Sequence, residues 1–240
     1  MLNKAEEMLA SVARDLKMEL SDAQLAKFAR FRELLQEWNK KMNLTTIIED
    51  EEIALKHFGD SLLYLQQSGA EQAEYILDLG TGAGFPGIPL KILWPNKKIV
   101  LMDSLQKRMN FLAVVLDELA LTEVELLHMR AEDMGQSPKY REKFDLVLSR
   151  AVAPLPVLLE YALPLVKIGG IFAPTKGKDY QEEITAAKQA LLLLGGELIE
   201  ERKALLPVKN ELRVTLLIKK RHYCPKMYPR LAGTPKRNPL

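Results

Sequence analysis

Cysteine is almost missing from this chain: Cys224 is the only one in 240 residues. A lone thiol excludes an intramolecular disulfide and a cysteine-rich zinc site. The core alone has to hold the fold. A chain of this length makes one large domain, or a core with a small appendage, and buries roughly 70–75% of the surface it exposes when unfolded. Nowhere do 18 apolar residues run together, which excludes a membrane-spanning helix. Before Lys40 there is no signal-peptide core either, because Lys4, Glu6, Glu7, Arg14 and Asp15 interrupt any apolar stretch. A cytoplasmic protein is expected. Internal repeats are absent, and only the last twenty residues are compositionally biased. With 48% hydrophobic and 28% charged residues the remainder reads as an ordinary globular protein, not a disordered one.

The net charge of +2 conceals an asymmetry. Between Lys219 and Leu240 stand seven basic side chains (Lys219, Lys220, Arg221, Lys226, Arg230, Lys236, Arg237) and no acidic one, so the rest of the chain is net acidic. A mildly acidic body with a basic tail is the pattern of a protein that touches a polyanion. A solvated tail is the plainer alternative.

Hydropathy patterning divides the chain into three parts. Residues 1–72 read as a helical cap. Leu9, Val12, Ala13 and Leu16 keep a 3.6-residue period, and Ser21 with Gln24 forms a capping-box signature. The stripe Phe28, Phe31, Leu35, Trp38 and Met42 follows. Acidic residues 49–52 suit the start of another helix, which carries Leu55, Phe58, Leu62 and Leu65 and ends at Gly69. Residues 73–220 alternate strand and helix. Strands are expected at 75–79, 98–103, 124–129, 144–149 and 171–173, with helices between them, one of them carrying Leu155, Leu159, Ala162 and Val166. Another helix carries Ile184, Ala187, Leu191 and Leu194. The last two strands, 198–206 and 212–219, are too close for a parallel crossover and must pair antiparallel. The result is an α/β fold, a Rossmann-like doubly wound sheet of seven strands with one reversed. Residues 221–240 form the basic, proline-rich tail.

Chemistry concentrates at Asp78-Leu79-Gly80-Thr81-Gly82-Ala83-Gly84-Phe85-Pro86-Gly87, after the first strand and opening a helix. Glycine at 80, 82 and 84 permits positive φ and leaves backbone N–H groups open to a ligand. The run alone admits two cofactors. Gly82-x-Gly84-x-x-Gly87 fits a dinucleotide fingerprint. Gly80-x-Gly82-x-Gly84 behind an acid fits S-adenosylmethionine better, because Asp78 can hold the methionine ammonium directly or through water. Asp103, at the end of the second strand, suits the ribose hydroxyls of either. Ala131-Glu132-Asp133, after the third strand, suits an adenine edge. The reversed terminal strand decides for S-adenosylmethionine, because dinucleotide folds continue parallel.

Several segments carry a closer likeness: Trp38–Thr45 (WNKKMNLT), Lys56–Leu62 (KHFGDSL), Asp78–Gly87, Asp103–Arg108 (DSLQKR), Ser149–Ala153 (SRAVA) and Tyr228–Pro235 (YPRLAGTP). Together they resemble the small-subunit ribosomal RNA guanine-N7 methyltransferase family, the methyltransferase G group once called glucose-inhibited division protein B. The likeness spans nearly the whole chain. It implies a class I S-adenosylmethionine methyltransferase fold, and methyl transfer to one guanine in the 530 loop region of 16S rRNA. It also implies Gly80, Phe85, Ala131, Glu132 and Arg150 as cofactor contacts. With Asp78, Gly82, Gly84, Asp103 and Ser104 these make the expected cofactor set. The expected partner is 16S rRNA in the 30S subunit or its precursor, met by a monomer.

Guanine N7 presents an in-plane lone pair and carries no proton, so alignment can do most of the work. The chain agrees in what it lacks. No Asn/Asp-Pro-Pro-aromatic box, used for exocyclic amines, follows the fourth strand; Ser149-Arg150-Ala151 stands there. A Pro-Cys nucleophile is missing too, since Cys224 precedes its proline. Arg150 and Lys176, both just after strands, are candidates to orient the base through O6, and His57 is the third candidate catalytic residue; it has a structural reading as well. In the tail, Arg230 is the expected specific RNA contact if the prolines hold residues 225–240 as a strap. The competing possibility is a clasp folded back on the domain, anchored by Tyr228 and Leu231. Other readings of the whole are a small-molecule methyltransferase, an NAD-linked oxidoreductase and a non-catalytic module on the same fold. The first leaves the tail unexplained. The second has the wrong terminal hairpin. The third should have lost the glycine run or Asp103.

Overall fold

A computed structural model describes residues 3–240; the first two residues of the expected cap lie outside it. The chain opens with two capped helices. Asn3 accepts the amides of Ala5 and Glu6 while the Glu6 carboxylate takes the Asn3 amide, starting α1 (Lys4–Asp15). Ser21 and Gln24 make the same reciprocal bond at the start of α2 (Asp22–Asn39). The Gln24 amide nitrogen also donates to the carbonyls of Ile92 and Leu93, tying α2 to the helix after the glycine run. The next apolar run is not one uniform helix. It passes from α3 (Asp50–Ile53) through a π-helical turn (Ala54–Gly59) into α4 (Asp60–Ser68), which Gly69 closes with φ of 77°. Such turns recur at functional sites, and this one carries His57.

Then come β1 (Tyr75–Leu79), α5 (Gly87–Leu93), β2 (Lys98–Asp103), α6 (Gln106–Glu118), β3 (Val124–His128), α7 (Ala131–Gln136), β4 (Phe144–Arg150), α8 (Leu155–Ala162) and β5 (Val166–Lys176). The order continues with α9 (Tyr180–Ala186), α10 (Lys188–Leu194), β6 (Gly196–Leu206), β7 (Glu211–Lys220) and α11 (Thr234–Arg237). The seven strands lie in the order β3-β2-β1-β4-β5-β7-β6, with β7 antiparallel to both β5 and β6. This is the expected sheet, with its single reversed strand.

Three details differ from the sequence reading. α7 was not expected as a helix; it is a short element that starts on the acidic pair Glu132-Asp133. Val166 opens β5 instead of closing α8, and Gly169–Gly170 lies inside that strand, where the β4–β5 register shifts. The expected helix over 184–194 is two helices meeting at Ala187, whose amide is shared between the carbonyls of Glu183 and Ile184.

Alternate strand residues feed two cores, as the two-residue period requires. Ile76, Ile99, Leu101, Leu146 and Leu148 meet the N-terminal helices, α5 and α6 around Phe28, Phe31, Phe58 and Phe111. Leu77, Leu79, Val100, Met102 and Val147 meet α7, α8, α10 and the tail residues Cys224 and Tyr228. β1 lies between β2 and β4, so the chain's connections leave in opposite directions there. The crevice beyond the carboxyl ends of these strands is where such folds bind ligands.

Candidate active site

Two adjoining cavities open at that carboxyl edge and share Ala151 and Val152 as a common wall. Ala151 has a φ of 55°, a left-handed conformation uncommon for a residue with a Cβ. Backbone held this way just past a strand is a mark of functional sites.

The first cavity, of about 330 Å³, is lined by Gly80, Asp103, Ser104, Ala131 and Glu132 from the expected cofactor set, together with Met102, Arg108, Met129, Arg130 and Tyr161. Gly233 and Lys236 of the tail complete its wall. Asp78, Gly82, Gly84, Phe85 and Arg150 do not line it. Each has another place.

The glycine run does not present its amides to a ligand. Gly80 and Thr81 donate to the Met102 carbonyl at 2.9 and 3.0 Å, and Gly84 donates to the Thr81 carbonyl at 2.9 Å. Gly82 donates to Asp103 Oδ2 at 3.0 Å. Phosphates bind where such amides stay open, so this loop is no pyrophosphate cradle and the dinucleotide reading fails. Gly80 holds φ of 72°, and a Cβ added there would lie 2.6 Å from Val152 Cγ2, so a neighbouring side chain already fills that space. At Gly84 a Cβ would meet Ile88 and Leu112; this glycine serves close packing.

Asp78 is fully buried. Its Oδ2 accepts the Thr81 hydroxyl at 2.7 Å and the Gly87 amide at 2.8 Å, tying both ends of the loop together. Its Oδ1 is buried without a partner. Burial raises its pKa to about 6, against the two hydrogen bonds that favour the charged form. Asp103 is more engaged than a free ribose acceptor would be. Its Oδ2 takes Gly82 and Arg108 (2.9 Å), and its Oδ1 takes the Leu105 amide at 3.0 Å. One lone pair remains on Oδ1 for a hydroxyl; a second hydroxyl has to displace Arg108.

This donor set suits S-adenosylmethionine. Two carboxylates, Asp103 and Glu132, line the cavity beside apolar Met102, Met129, Ala131 and Val152, and the cations Arg108, Arg130 and Lys236 line it as well. An unpartnered carboxylate oxygen lies buried under the loop. A nucleoside with a sulfonium and an ammonium meets acceptors and apolar surface there.

The second cavity, of about 670 Å³, is lined by all three expected catalytic residues, His57, Arg150 and Lys176, and by Arg213, which the sequence did not single out. At its floor Asp60 clamps two guanidinium groups: Arg150 Nη1 donates to Oδ2 at 2.9 Å and Arg213 Nε to Oδ1 at 2.6 Å. Arg150 therefore belongs to this cavity, with its guanidinium 5.3 Å from the Phe85 ring centroid. Phe85 is a core residue stacked on His57, ring centroids 4.6 Å apart. His57 Nε2 lies 2.8 Å from Thr45 Oγ1. Thr45 is held by Asn39, whose Oδ1 accepts the amides of Leu44 and Thr45. Burial, then the Arg150 charge, lowers the His57 pKa to about 3, so the ring is neutral at pH 7. Lys176 is not a free cation. Its Nζ donates to Glu183 Oε2 at 2.7 Å and to the Ala153 carbonyl at 2.8 Å, which secures the loop after β4.

The tail departs most from expectation. Arg230 does not face solvent for RNA. It forms a forked ion pair with Glu160, at 2.9 and 2.6 Å, and Glu160 is wholly buried. Tyr228 is the buried anchor expected of a clasp, but Leu231 is 86% exposed and anchors nothing. A larger cavity, about 880 Å³ at the amino ends of β1–β3, holds none of the expected residues.

No helix among the described residues is long and apolar enough to cross a membrane. The fold resembles that of solved structures at low identity. Ribosomal protein L11 methylase from Lactobacillus delbrueckii subsp. bulgaricus matches with a TM-score of 0.52 and 17% identity, over 70% of this chain and 79% of that one. TYW2 of M. jannaschii, solved in complex with AdoMet, matches with a TM-score of 0.54 and 16% identity, over 67% and 74%. Sequence relatives are much nearer. The Ribosomal RNA small subunit methyltransferase G of Desulfitobacterium hafniense is 50% identical over the full length of both chains. Its counterpart in Thermoanaerobacter pseudethanolicus is 46% identical, again over both full lengths. The family model for rRNA small subunit methyltransferase G matches residues 24–206. With the glycine loop, the reversed β7 and both cavities in place, the chain belongs to the rRNA small subunit methyltransferase G family.

Proposed function

We propose that the protein transfers the methyl group of S-adenosylmethionine to N7 of a guanine in the 530 loop region of 16S rRNA. The observation that carries this reading is the pair of cavities joined at Ala151 and Val152: one lined by the carboxylates Asp103 and Glu132 with apolar and basic side chains, the other by clamped arginines. Bound in the first, the cofactor supplies an electrophilic methyl group. Asp103 and Glu132 would hold its nucleoside, and Gly80 and Val152 would close the side toward the second cavity.

In the second cavity, alignment is the task. Asp60 fixes Arg150 and Arg213 in direction, so that a guanidinium can donate to guanine O6 and leave the N7 lone pair turned toward the shared wall. Lys176 and Glu183 keep the loop 151–154 in shape. Neutral His57, stacked on Phe85, carries no charge into the cavity at pH 7. N7 loses no proton, so none of these residues has to act as a base.

The test is transfer of labelled methyl to naked 16S rRNA, to a 30S precursor and to the mature subunit, with the product mapped by cleavage at 7-methylguanosine. One cleavage in the 530 loop region is expected. Label at another atom or region would overturn the reading.

A further inference from the structure

The tail is held against the domain by more than its apolar residues. The Arg141 guanidinium donates to the carbonyls of Cys224 and Tyr228, at 2.8 and 2.7 Å. Gln136 donates to the Pro229 carbonyl at 2.7 Å. Gly135 lets the chain approach so closely that an added Cβ would lie 2.6 Å from Pro229 Cγ. Beyond the Arg230–Glu160 pair, the Gly233 amide reaches Glu132 Oε1 at 2.8 Å. Glu132 is buried, and it is one of the two acids lining the nucleoside cavity, whose wall also includes Lys236. One short helix, α7, therefore carries both a cavity carboxylate at its start and the tail's docking surface at its end.

We infer that the C-terminal segment is part of the nucleoside-binding site itself: Gly233 fixes the carboxylate of Glu132, Lys236 contributes a donor to the cavity wall, and cofactor and segment hold each other in place. The inference rests on the proposed binding of S-adenosylmethionine in this cavity. Without the segment, Glu132 loses the Gly233 amide and the cavity is open on that side. Because the coupling is a free energy between two events, it is reciprocal: whatever factor the docked segment adds to nucleoside affinity, the bound nucleoside adds to docking. The purine is the part of the ligand concerned. Its ring nitrogens accept from an ammonium such as that of Lys236, and its amino group donates to a carboxylate.

Hydrogen exchange on the full chain, with and without saturating S-adenosylhomocysteine, tests this directly. Peptides covering 226–238, where the amides of Arg230, Gly233 and Asn238 are bonded, should exchange at least about tenfold more slowly with the ligand. A companion variant, Lys236→Ala, makes the same point by calorimetry. Its dissociation constant for S-adenosylhomocysteine should rise roughly three- to tenfold, the loss of one hydrogen bond, with an unchanged melting temperature. Protection confined to 78–87 and 101–105, with the tail exchanging as before, overturns the inference and leaves the cofactor reading intact. So does an unaltered dissociation constant in Lys236→Ala. Failure of the unmodified protein to bind S-adenosylhomocysteine removes the cofactor reading, and the inference with it.

Discussion

Asp60→Asn separates the two cavities by function. The Asp60 side chain is 10% exposed and holds Arg150 and Arg213 at 2.9 and 2.6 Å. Asparagine keeps the shape but removes the charge, and its Nδ2 can only donate, so one of the two guanidinium groups loses its acceptor. A charge-assisted hydrogen bond contributes about 1.5–3 kcal/mol and a neutral one about 1 kcal/mol. The combined loss is then about 2 kcal/mol, discounted for the partial exposure of Arg213, or roughly thirtyfold in a rate or equilibrium constant. Because both arginines line the second cavity and neither lines the first, the loss should fall on kcat/KM for rRNA. The S-adenosylhomocysteine dissociation constant should stay within about twofold, a change below 0.5 kcal/mol. Methyl transfer under varied rRNA concentration gives the first quantity and calorimetry the second. If cofactor affinity falls as far as kcat/KM, Asp60 acts on the nucleoside site and the division of labour is wrong. If neither changes, the clamp has no role in catalysis.

His57 gives a pH signature whose sign is fixed. Its pKa is about 3 in the fold and 6.5 as the ordinary value, so between these the unfolded chain takes a proton that the native one refuses. Stability therefore falls as pH is lowered through that window, by up to about 1.4 kcal/mol per pH unit. Asp78 works the other way between 3.8 and about 6, where the native state keeps its proton and stability falls as pH rises. Urea denaturation of His57→Gln should show less loss of stability from pH 7 to about 4.5 than the unmodified protein, and an identical loss would refute the assignment. Gly80→Ala should cost about 1–3 kcal/mol from backbone strain and contact with Val152; adding Val152→Ala should recover only the contact part, and full recovery in a thermal melt would deny the strain. In the tail, Arg230→Gln should lower the melting temperature without flattening the salt dependence of rRNA binding. Lys226→Gln and Arg237→Gln should each flatten it by about 0.7–0.9 units if they meet phosphates. The opposite pattern would restore Arg230 as an RNA contact.

Most of the fold was legible because it rests on local, periodic signals. The capping pair Ser21 and Gln24, the β1 run before the glycines, and the short link that forces β7 antiparallel each leave a mark within a dozen residues. Where the reading failed, no periodic or compositional signal marks the feature. α7 is six residues long, shorter than any window in which a helical period can be recognised. The π-helical turn shares the apolar spacing of its neighbours, so nothing in composition announces it. Nor could the strained φ at Ala151 be seen, since alanine carries no preference for that conformation.

The charges of the tail show the same limit from the energetic side. Counted along the chain, seven cations without an acid between them suggest attraction to a polyanion. In the fold, three already have partners drawn from elsewhere: Lys220 with Glu142, Arg221 with Glu197 and Arg230 with Glu160. Glu160 is wholly buried, and an unpaired carboxylate there would cost several kcal/mol, so Arg230 is held by its partner's need as much as by its own. Lys220, itself buried, donates to the Leu163 carbonyl as well. The cations with no ion pair among the described residues are Lys219, Lys226, Lys236 and Arg237. Of these, Lys236, itself exposed, lines the cavity that holds Asp103 and Glu132. A basic stretch that looked like one device therefore divides: three cations paired within the fold, a lysine that lines the smaller cavity, and three with no ion pair among the described residues. Tail and cavity wall meet at Glu132, which accepts the Gly233 amide and lines the cavity with Lys236.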